Sequence, residues 1–271
     1  MSKLLETNGL TVTFGGLNAN DNVDIGIEKG SFVGLIGPNG AGKTTFIDAI
    51  TGFVPTSAGS VVFDGHDLSD LKPHQRAQLG LVRTFQSLEL FEDLSVKDNL
   101  LVAAHQTTWY TLALDVFRIQ QKSEEIEERI DWALEVAGLK GLEEELPTDL
   151  PHGQRKLVGV ARALAAQPNL VLLDEPAAGL DTAESNALGG HLRGLLDHDV
   201  TVFLIDHDMG LVLSVCDFIY VMDFGKIIAS GTPEEIRSNP EVIAAYLGEE
   251  AGEVQARSAE ELRGMSDTAG E

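Results

Sequence analysis

The chain has 271 residues, enough for one large domain or two small ones with a substantial core. Its 19 Lys and Arg stand against 43 Asp and Glu, a formal net charge of -24. That balance argues against a nucleic-acid binder, which needs a basic face to displace counterions, and an acidic body is repelled by an anionic membrane surface, so any membrane contact should run through a protein partner.

The N-terminal "MSKLLETNGL" lacks the apolar core of a secretory signal. No apolar run approaches the roughly 18–20 residues that span a bilayer. A cytoplasmic protein without an anchor of its own is therefore expected. "LLETNGLTVTF" and "NVDIGI" alternate apolar and polar residues, which predicts half-buried antiparallel strands. "FVGLI" is continuously apolar, as a strand buried on both faces should be.

Directly after that strand, Gly37–Thr44 reads "GPNGAGKT" and fits G-x-x-x-x-G-K-[ST] ahead of a predicted helix, the context a phosphate-binding loop requires. Its glycines allow successive N–H groups to turn inward around a phosphate chain without a clashing Cβ. Gly37, Pro38, Asn39, Gly40, Ala41 and Gly42 are the expected cradle, with Thr45 beside it. Lys43 supplies a point charge to the β- and γ-phosphates, and the Thr44 hydroxyl is a candidate Mg²⁺ ligand. The helix N-terminus adds its partial positive charge.

"SVVFDG" continues the sheet region. From Pro73 to about Ala166 the pattern turns helical, through "PHQRAQLG", "SVKDNLLVAAH" and "KSEEIEERIDWALEVAGL". "LVLLD" (170–174), "VTVFLID" (200–206) and "DFIYVMDFG" (217–225) are predicted buried strands, with helix-like "DTAESNALGGHLRGLLDH" between the first two. Strand, helix, strand is the rhythm of a parallel sheet with crossover helices. In "LVLLDEP", Asp174 ends an aliphatic strand where a carboxylate can hold Mg²⁺ directly or through water. Glu175 is a second acid that one metal does not need. It is assigned as the general base aimed at an attacking water.

Cys216 is the only cysteine, which excludes an internal disulfide and fits a reducing compartment. Its apolar setting predicts a buried structural thiol. After Gly248 large apolar residues almost vanish, so 249–271 is expected to be a disordered acidic tail. That tail holds seven acids and two arginines, about -5 of the total, and the remaining -19 reads either as a solvated surface or as adaptation to high salt.

Taken in order, "GPNGAGKTT", "RTFQ", "LPHGQRKLVGVARAL", "LVLLDEP", "AGLD" and "IDHD" resemble the ATPase subunit of an ATP-binding cassette (ABC) transporter over residues 4 to about 248. The resemblance implies a mixed α/β P-loop NTPase (RecA-like) fold: a mostly parallel core sheet with an antiparallel β subdomain and an inserted α-helical subdomain. It implies one ATPase domain over 1–248, with 1–87 and 166–248 as nucleotide-binding core and 88–165 as helical subdomain. ATP and Mg²⁺ are the implied substrate and cofactor.

By the same resemblance, Gln86 reaches metal and water and senses the membrane subunit, and His207 contacts the γ-phosphate. Asp181 communicates across a dimer, although as a residue preceding a helix it is equally a candidate N-cap. Phe14 in "TFGGL" matches the aromatic that stacks on adenine. Leu150, Pro151, His152, Gly153 and Gln154 match the signature that meets ATP bound by the facing subunit. Two of them depart from the usual Leu-Ser-Gly-Gly-Gln: Pro151 removes a hydroxyl and an N–H, and His152 replaces a glycine. Pro is tolerated in the first helical turn, so the helix is expected to survive and the completed site to bind ATP more weakly or turn over more slowly.

"GLVRTFQSLELFEDLSVKDNLLVAAH" and "FGGLNANDNVD" further resemble the branched-chain amino-acid importer subfamily, whose relatives also carry urea and short-chain amides. The implied partners are a second, similar ATPase, two membrane permease subunits and, indirectly, an extracytoplasmic solute-binding protein, with no nucleic acid. This places the chain at the cytoplasmic face of the membrane. A soluble cassette ATPase serving DNA or ribosomes is the rival within the fold. It would bring two cassettes or coiled-coil insertions, and neither is present. A GTPase is disfavoured because no Asn-Lys-x-Asp occurs.

Overall fold

The computed structural model describes residues 3–84, 90–104 and 118–246, with 118–123 as backbone only. It opens with a long hairpin, β1 (Lys3–Phe14) and β2 (Leu17–Glu28), followed by β3 (Phe32–Ile36) and helix α1 (Lys43–Thr51). Next come β4 (Ala58–Phe63), β5 (His66–Asp67), α2 (Pro73–Gln78) and β6 (Leu81–Arg83). A helical stretch holds α3 (Val96–Ala104), α4 (Arg118–Val136) and α5 (His152–Leu164). The chain then alternates β7 (Leu170–Asp174), α6 (Thr182–Gly194), β8 (Thr201–Ile205), α7 (Met209–Val215) and β9 (Phe218–Asp223), and continues through β10 (Lys226–Gly231) and α8 (Pro233–Ser238) to a helical stretch at 240–246.

Two sheets result. β2-β1-β4-β5 is antiparallel, and β10-β9-β3-β8-β7-β6 is parallel except for β10. The alternating segments of the N-terminal region form the first. The continuously apolar runs form the second, because that sheet is covered on both faces.

Side-chain alternation divides the parallel sheet between two cores. Phe32, Ile36, Val171, Leu173, Val202, Leu204, Ile219 and Val221 join one cluster with the buried faces of α3, α4, α5, α6 and α7. Val33, Leu35, Leu170, Leu172, Phe203 and Ile205 point the other way, into a cluster with α1 and the antiparallel sheet. Gly34 must be small, since a Cβ there would lie 2.8 Å from Val212 and 2.9 Å from the Cys216 Sγ.

Register decides where the site lies. Leu35 pairs with Ile205, and Asp174 pairs with Ile205 from the other side. The ends of β3, β8 and β7 are therefore level, and the loops leaving these strands all emerge at one edge of the sheet. This is the carboxyl edge at which open α/β sheets bind ligands.

Two expectations need correction. The span from Pro73 to Ala166 is not wholly helical: β6 is a strand of three residues, too short to show a period. The predicted strand 217–225 stops at Asp223, and Phe224 and Gly225 form the turn into β10, with Asp223 paired to Lys226. Both turn residues have positive φ, 43° and 75°, which a strand excludes. The expected tail 249–271 and Gln86 lie outside the described residues. Among the described residues no helix is long and apolar enough to cross a membrane.

Candidate functional site

The loop between β3 and α1 has a shape open only to glycine at its two ends. Gly37 has φ 152°, and a Cβ there would sit 1.9 Å from the Met222 carbonyl oxygen. Gly42 has φ 103°, and its Cβ would sit 2.4 Å from the Ala19 carbonyl oxygen. Gly42 is also the N-cap of α1 and supplies no side-chain cap, so the first helical amides, which lack intrahelical partners, suit an anion.

Lys43 is buried and curls back to donate to the carbonyls of Gly37 (2.5 Å) and Pro38 (2.9 Å). The loop is thus wrapped around an ammonium group. Ala41 is buried, Pro38 and Thr45 are half-buried, and Asn39, Gly40 and Thr44 are exposed.

A cleft of about 430 Å³ runs beside this loop, lined by Asn39–Thr45, by Glu175 and by two distant segments, Leu17–Ala19 and Phe224–Gly225. Its size falls in the range of small-molecule sites. Phe14, at the end of β1, does not line it. That residue is half exposed and pairs with Leu17, which does.

Asp174 is buried at 4% exposure. Burial pushes its carboxyl above the ordinary range, and a hydrogen bond from Arg83 acts against that rise. Arg83 reaches Asp174 at 2.8 Å and also grips Asp48 on α1. Asp48 is one helical turn from Thr44, on the same face, so the guanidinium ties the Thr44 face of α1 to the end of β7. The Thr44 hydroxyl and the Asp174 carboxylate are hard oxygen donors, a fit for Mg²⁺ that takes the rest of its shell from phosphates and water. Among the described residues no cluster of three or more His, Cys, Asp or Glu could hold a metal alone.

Glu175 has φ 47°, an uncommon backbone for a residue with a Cβ. Its N–H donates to the Ile205 carbonyl at 2.7 Å. This turn directs the acid into the cleft instead of leaving it on the sheet. His207 is exposed, with its Nδ1 3.5 Å from Asp206 and 3.9 Å from Glu175. Asp206 is fully buried and accepts from the N–H groups of Ala177 and Asp208. Lys156 on α5 is also buried; burial lowers its ammonium pKa, while the nearby Asp206 and Glu175 charges act to raise it.

Asp181 caps α6, accepting from the Glu184 N–H at 2.8 Å while Glu184 accepts from Asp181 N–H at 3.1 Å, a capping box. In the signature segment, Pro151 is the N-cap of α5, one position earlier than the first turn, with extended backbone. Its carbonyl accepts the Arg155 N–H, so the helix starts normally. Leu150 is buried in the larger core, which leaves only its backbone for a ligand. His152 is exposed and lies close to Gly179, and Gly153 and Gln154 are half-buried.

The strand edge thus gathers Gly37–Thr45, Asp174, Glu175 and His207. It does not gather Phe14, and 150–154 belongs to a separate helix start. Arg83, Lys156, Leu17 and Phe224 had no assigned role in sequence. Arg83 in "RTFQ", Lys156 in "LPHGQRKLVGVARAL" and Leu17 in "TFGGL" lay within quoted motifs without being singled out, and Phe224 lay outside them.

The chain matches the family model described as ABC transporter over residues 20–178. It also matches the model described as branched-chain amino acid ATP-binding cassette transporter over 226–252. It is 43% identical to the high-affinity branched-chain amino acid transport ATP-binding protein LivG of Salmonella typhimurium, covering 91% of this chain and 98% of that protein. It is 41% identical to the corresponding protein BraF of Pseudomonas aeruginosa, with the same coverage. Among solved structures, the ADP conformation of an ATP-binding cassette of an ABC transporter superposes with a TM-score of 0.80 at 32% identity, covering 92% of this chain and all of that one. A nucleotide-free cassette gives 0.78 at 33%, covering 90% and 99%.

Proposed function

From the premise that the chain belongs to the ABC transporter family, as an ATP-hydrolysing subunit, we propose that it powers import of branched-chain amino acids from the cytoplasmic face of a membrane. The match over 226–252 and the names of the relatives support that solute class. In this reading 1–248 is one cassette, with 1–87 and 166–248 the nucleotide-binding core and 88–165 the helical part that offers its signature to a partner. The partners are a second ATPase subunit, two permease subunits and, indirectly, a solute-binding protein.

The observation that carries the reading is the convergence of the Lys43 loop, Asp174, Glu175 and His207 on one sheet edge. The loop amides and Lys43 bind the triphosphate and neutralise its charge. Thr44 and Asp174 would hold Mg²⁺, which supplies charge stabilisation to the β- and γ-phosphates. Gln86, from its motif, is assigned to the same metal and to water. Glu175 accepts a proton from the attacking water, and His207, held beside Asp206 and Glu175, contacts the γ-phosphate. Leu150 to Gln154 and Asp181 of one subunit complete the site of the other. ATP thereby favours the closed dimer, and hydrolysis releases it.

Glu175→Gln tests the assignment. The variant should bind ATP and form the closed dimer, yet lose hydrolysis by roughly a hundredfold or more, as expected for removal of a general base. Near-native turnover of phosphate by the assembled complex would remove Glu175 from that role.

A further inference from the structure

Strand β2 carries an amide into the apolar side of its sheet. Val23, Ile25 and Ile27 point inward, and strict alternation from them would turn Asp21 inward and Asn20 outward. The register breaks that pattern: Leu10 lies opposite Val23 and Val12 opposite Asn20, two steps on β1 against three on β2. The extra residue makes a β-bulge, with Asn22 at φ 55° and its N–H donating to the Thr11 hydroxyl at 3.1 Å. Bulges beside functional sites re-aim a side chain. Here the bulge buries Asn20 completely.

The buried amide is placed to donate. Its Nδ2 donates to the Gly42 carbonyl at 3.1 Å and lies 3.6 Å from the Met222 sulfur, a weak acceptor. Its Oδ1 is buried with no hydrogen-bond partner among the described residues. An orphaned buried acceptor costs stability, and an aliphatic side chain like those of Val23 and Ile25 would avoid that cost. The contact an aliphatic side chain could not make is the bond to Gly42.

That carbonyl belongs to the same peptide as the Lys43 N–H. A trans peptide is planar, so its N–H points opposite to its C=O. The Gly42 carbonyl also accepts the Phe46 N–H at 2.9 Å, the first bond of α1, and Asn20 is its second donor. Two donors fix the plane of the peptide and polarise it, which strengthens its N–H as a donor in turn. The preceding peptide is held in a similar way, since the Ala41 carbonyl accepts the Gly225 N–H at 2.8 Å.

We infer that Asn20 is a positioning residue for phosphate binding: through the Gly42 carbonyl it aims and strengthens the Lys43 N–H as a donor to the anion in the loop. The inference rests on the nucleotide-site reading above and adds to it a residue to which no motif gives a role. Asn20 acts from behind the loop, through this peptide.

The test compares the full chain with its Asn20→Leu and Asn20→Ala variants in equilibrium binding of ADP and of inorganic tripolyphosphate, in thermal melting, and in the NMR signal of the Lys43 amide proton. Asn20→Leu removes the orphaned oxygen together with the donor, so it should melt no lower than the native chain. Its affinity for ADP and for tripolyphosphate should fall equally, by about three- to tenfold, the size of one hydrogen bond. The Lys43 amide proton should move upfield as its peptide loses a donor. Asn20→Ala cannot overpack the site and should show the same loss and the same displacement of the signal. Unchanged affinity for both ligands, a loss for ADP without one for tripolyphosphate, or an unmoved Lys43 signal would each overturn the inference. Failure of both variants to fold would assign Asn20 to the core and overturn it as well. A native chain that binds neither ADP nor tripolyphosphate would overturn the nucleotide reading itself.

Discussion

Arg83 shows how one buried side chain settles the electrostatics of the site. Its guanidinium, 9% exposed, is shared between Asp174, at 4%, and Asp48, at 29%. A carboxylate as buried as Asp174 is costly unless paired. Arg83→Met keeps the volume but strands that carboxyl, and should destabilise the chain by about 3 kcal/mol at neutral pH. The pH dependence has a definite sign. Burial already raises the Asp174 pKa above the usual carboxylate range, and removing Arg83 raises it further. The folded state then binds more protons than the unfolded one, so stability falls as pH rises through that window. Relative to the native chain, the deficit of Arg83→Met should shrink as pH is lowered from neutral toward the ordinary carboxylate range, as measured by urea unfolding at a series of pH values. A deficit that is constant with pH would show that Arg83 acts through packing alone.

At the level of single elements, the start of α5 departs from the Leu-Ser-Gly-Gly-Gln signature at Pro151 and His152. Pro151 as N-cap offers no side-chain oxygen to the first amides, and no capping bond from it is present. Pro151→Ser would add such a cap, worth about 1 kcal/mol, while returning freedom to the unfolded chain worth about 0.4–1 kcal/mol. The two nearly cancel, so thermal stability should change little. ATP hydrolysis by the assembled complex should rise, because the restored hydroxyl faces the partner's phosphate in the proposed dimer. An unchanged rate, measured by phosphate release, would show that Gly153, Gln154 and the helix terminus suffice. α6 and α7 lack this gap, since Asp181 and Asp208 both accept from the first-turn amides of their helices. The cap reading of Asp181 is thus observed, and its cross-dimer role is a separate proposal.

Across the whole molecule, the parallel sheet is the wall between two cores, and Cys216 reports on one of them. It lies against Gly34 where α7 meets β9, and burial pushes its thiol well above the usual range. A thiol reagent should label Cys216 only when α7 leaves the sheet. Labelling of the native chain should therefore be slow and should rise with denaturant in parallel with global unfolding, as followed by circular dichroism. Rapid labelling without denaturant would contradict the packed position. Local patterns made much of this architecture legible: alternation marked β1 and β2, continuous apolar runs marked β3, β7 and β8, and the spacing of Gly37–Thr44 named the loop and its chemistry. Such signals survive in sequence because each is set by a residue's own backbone preference or by the period of one element. The pairing of Arg83 with Asp174 and Asp48, the burial of Lys156 beside Asp206 and Glu175, and the arrival of Phe224 at the phosphate loop were decided by the tertiary structure. Those partners are separated by tens to hundreds of residues, and their contacts depend on the register of β6, β7, β8, β3 and β9 and on the packing of α1 and α5 against that sheet.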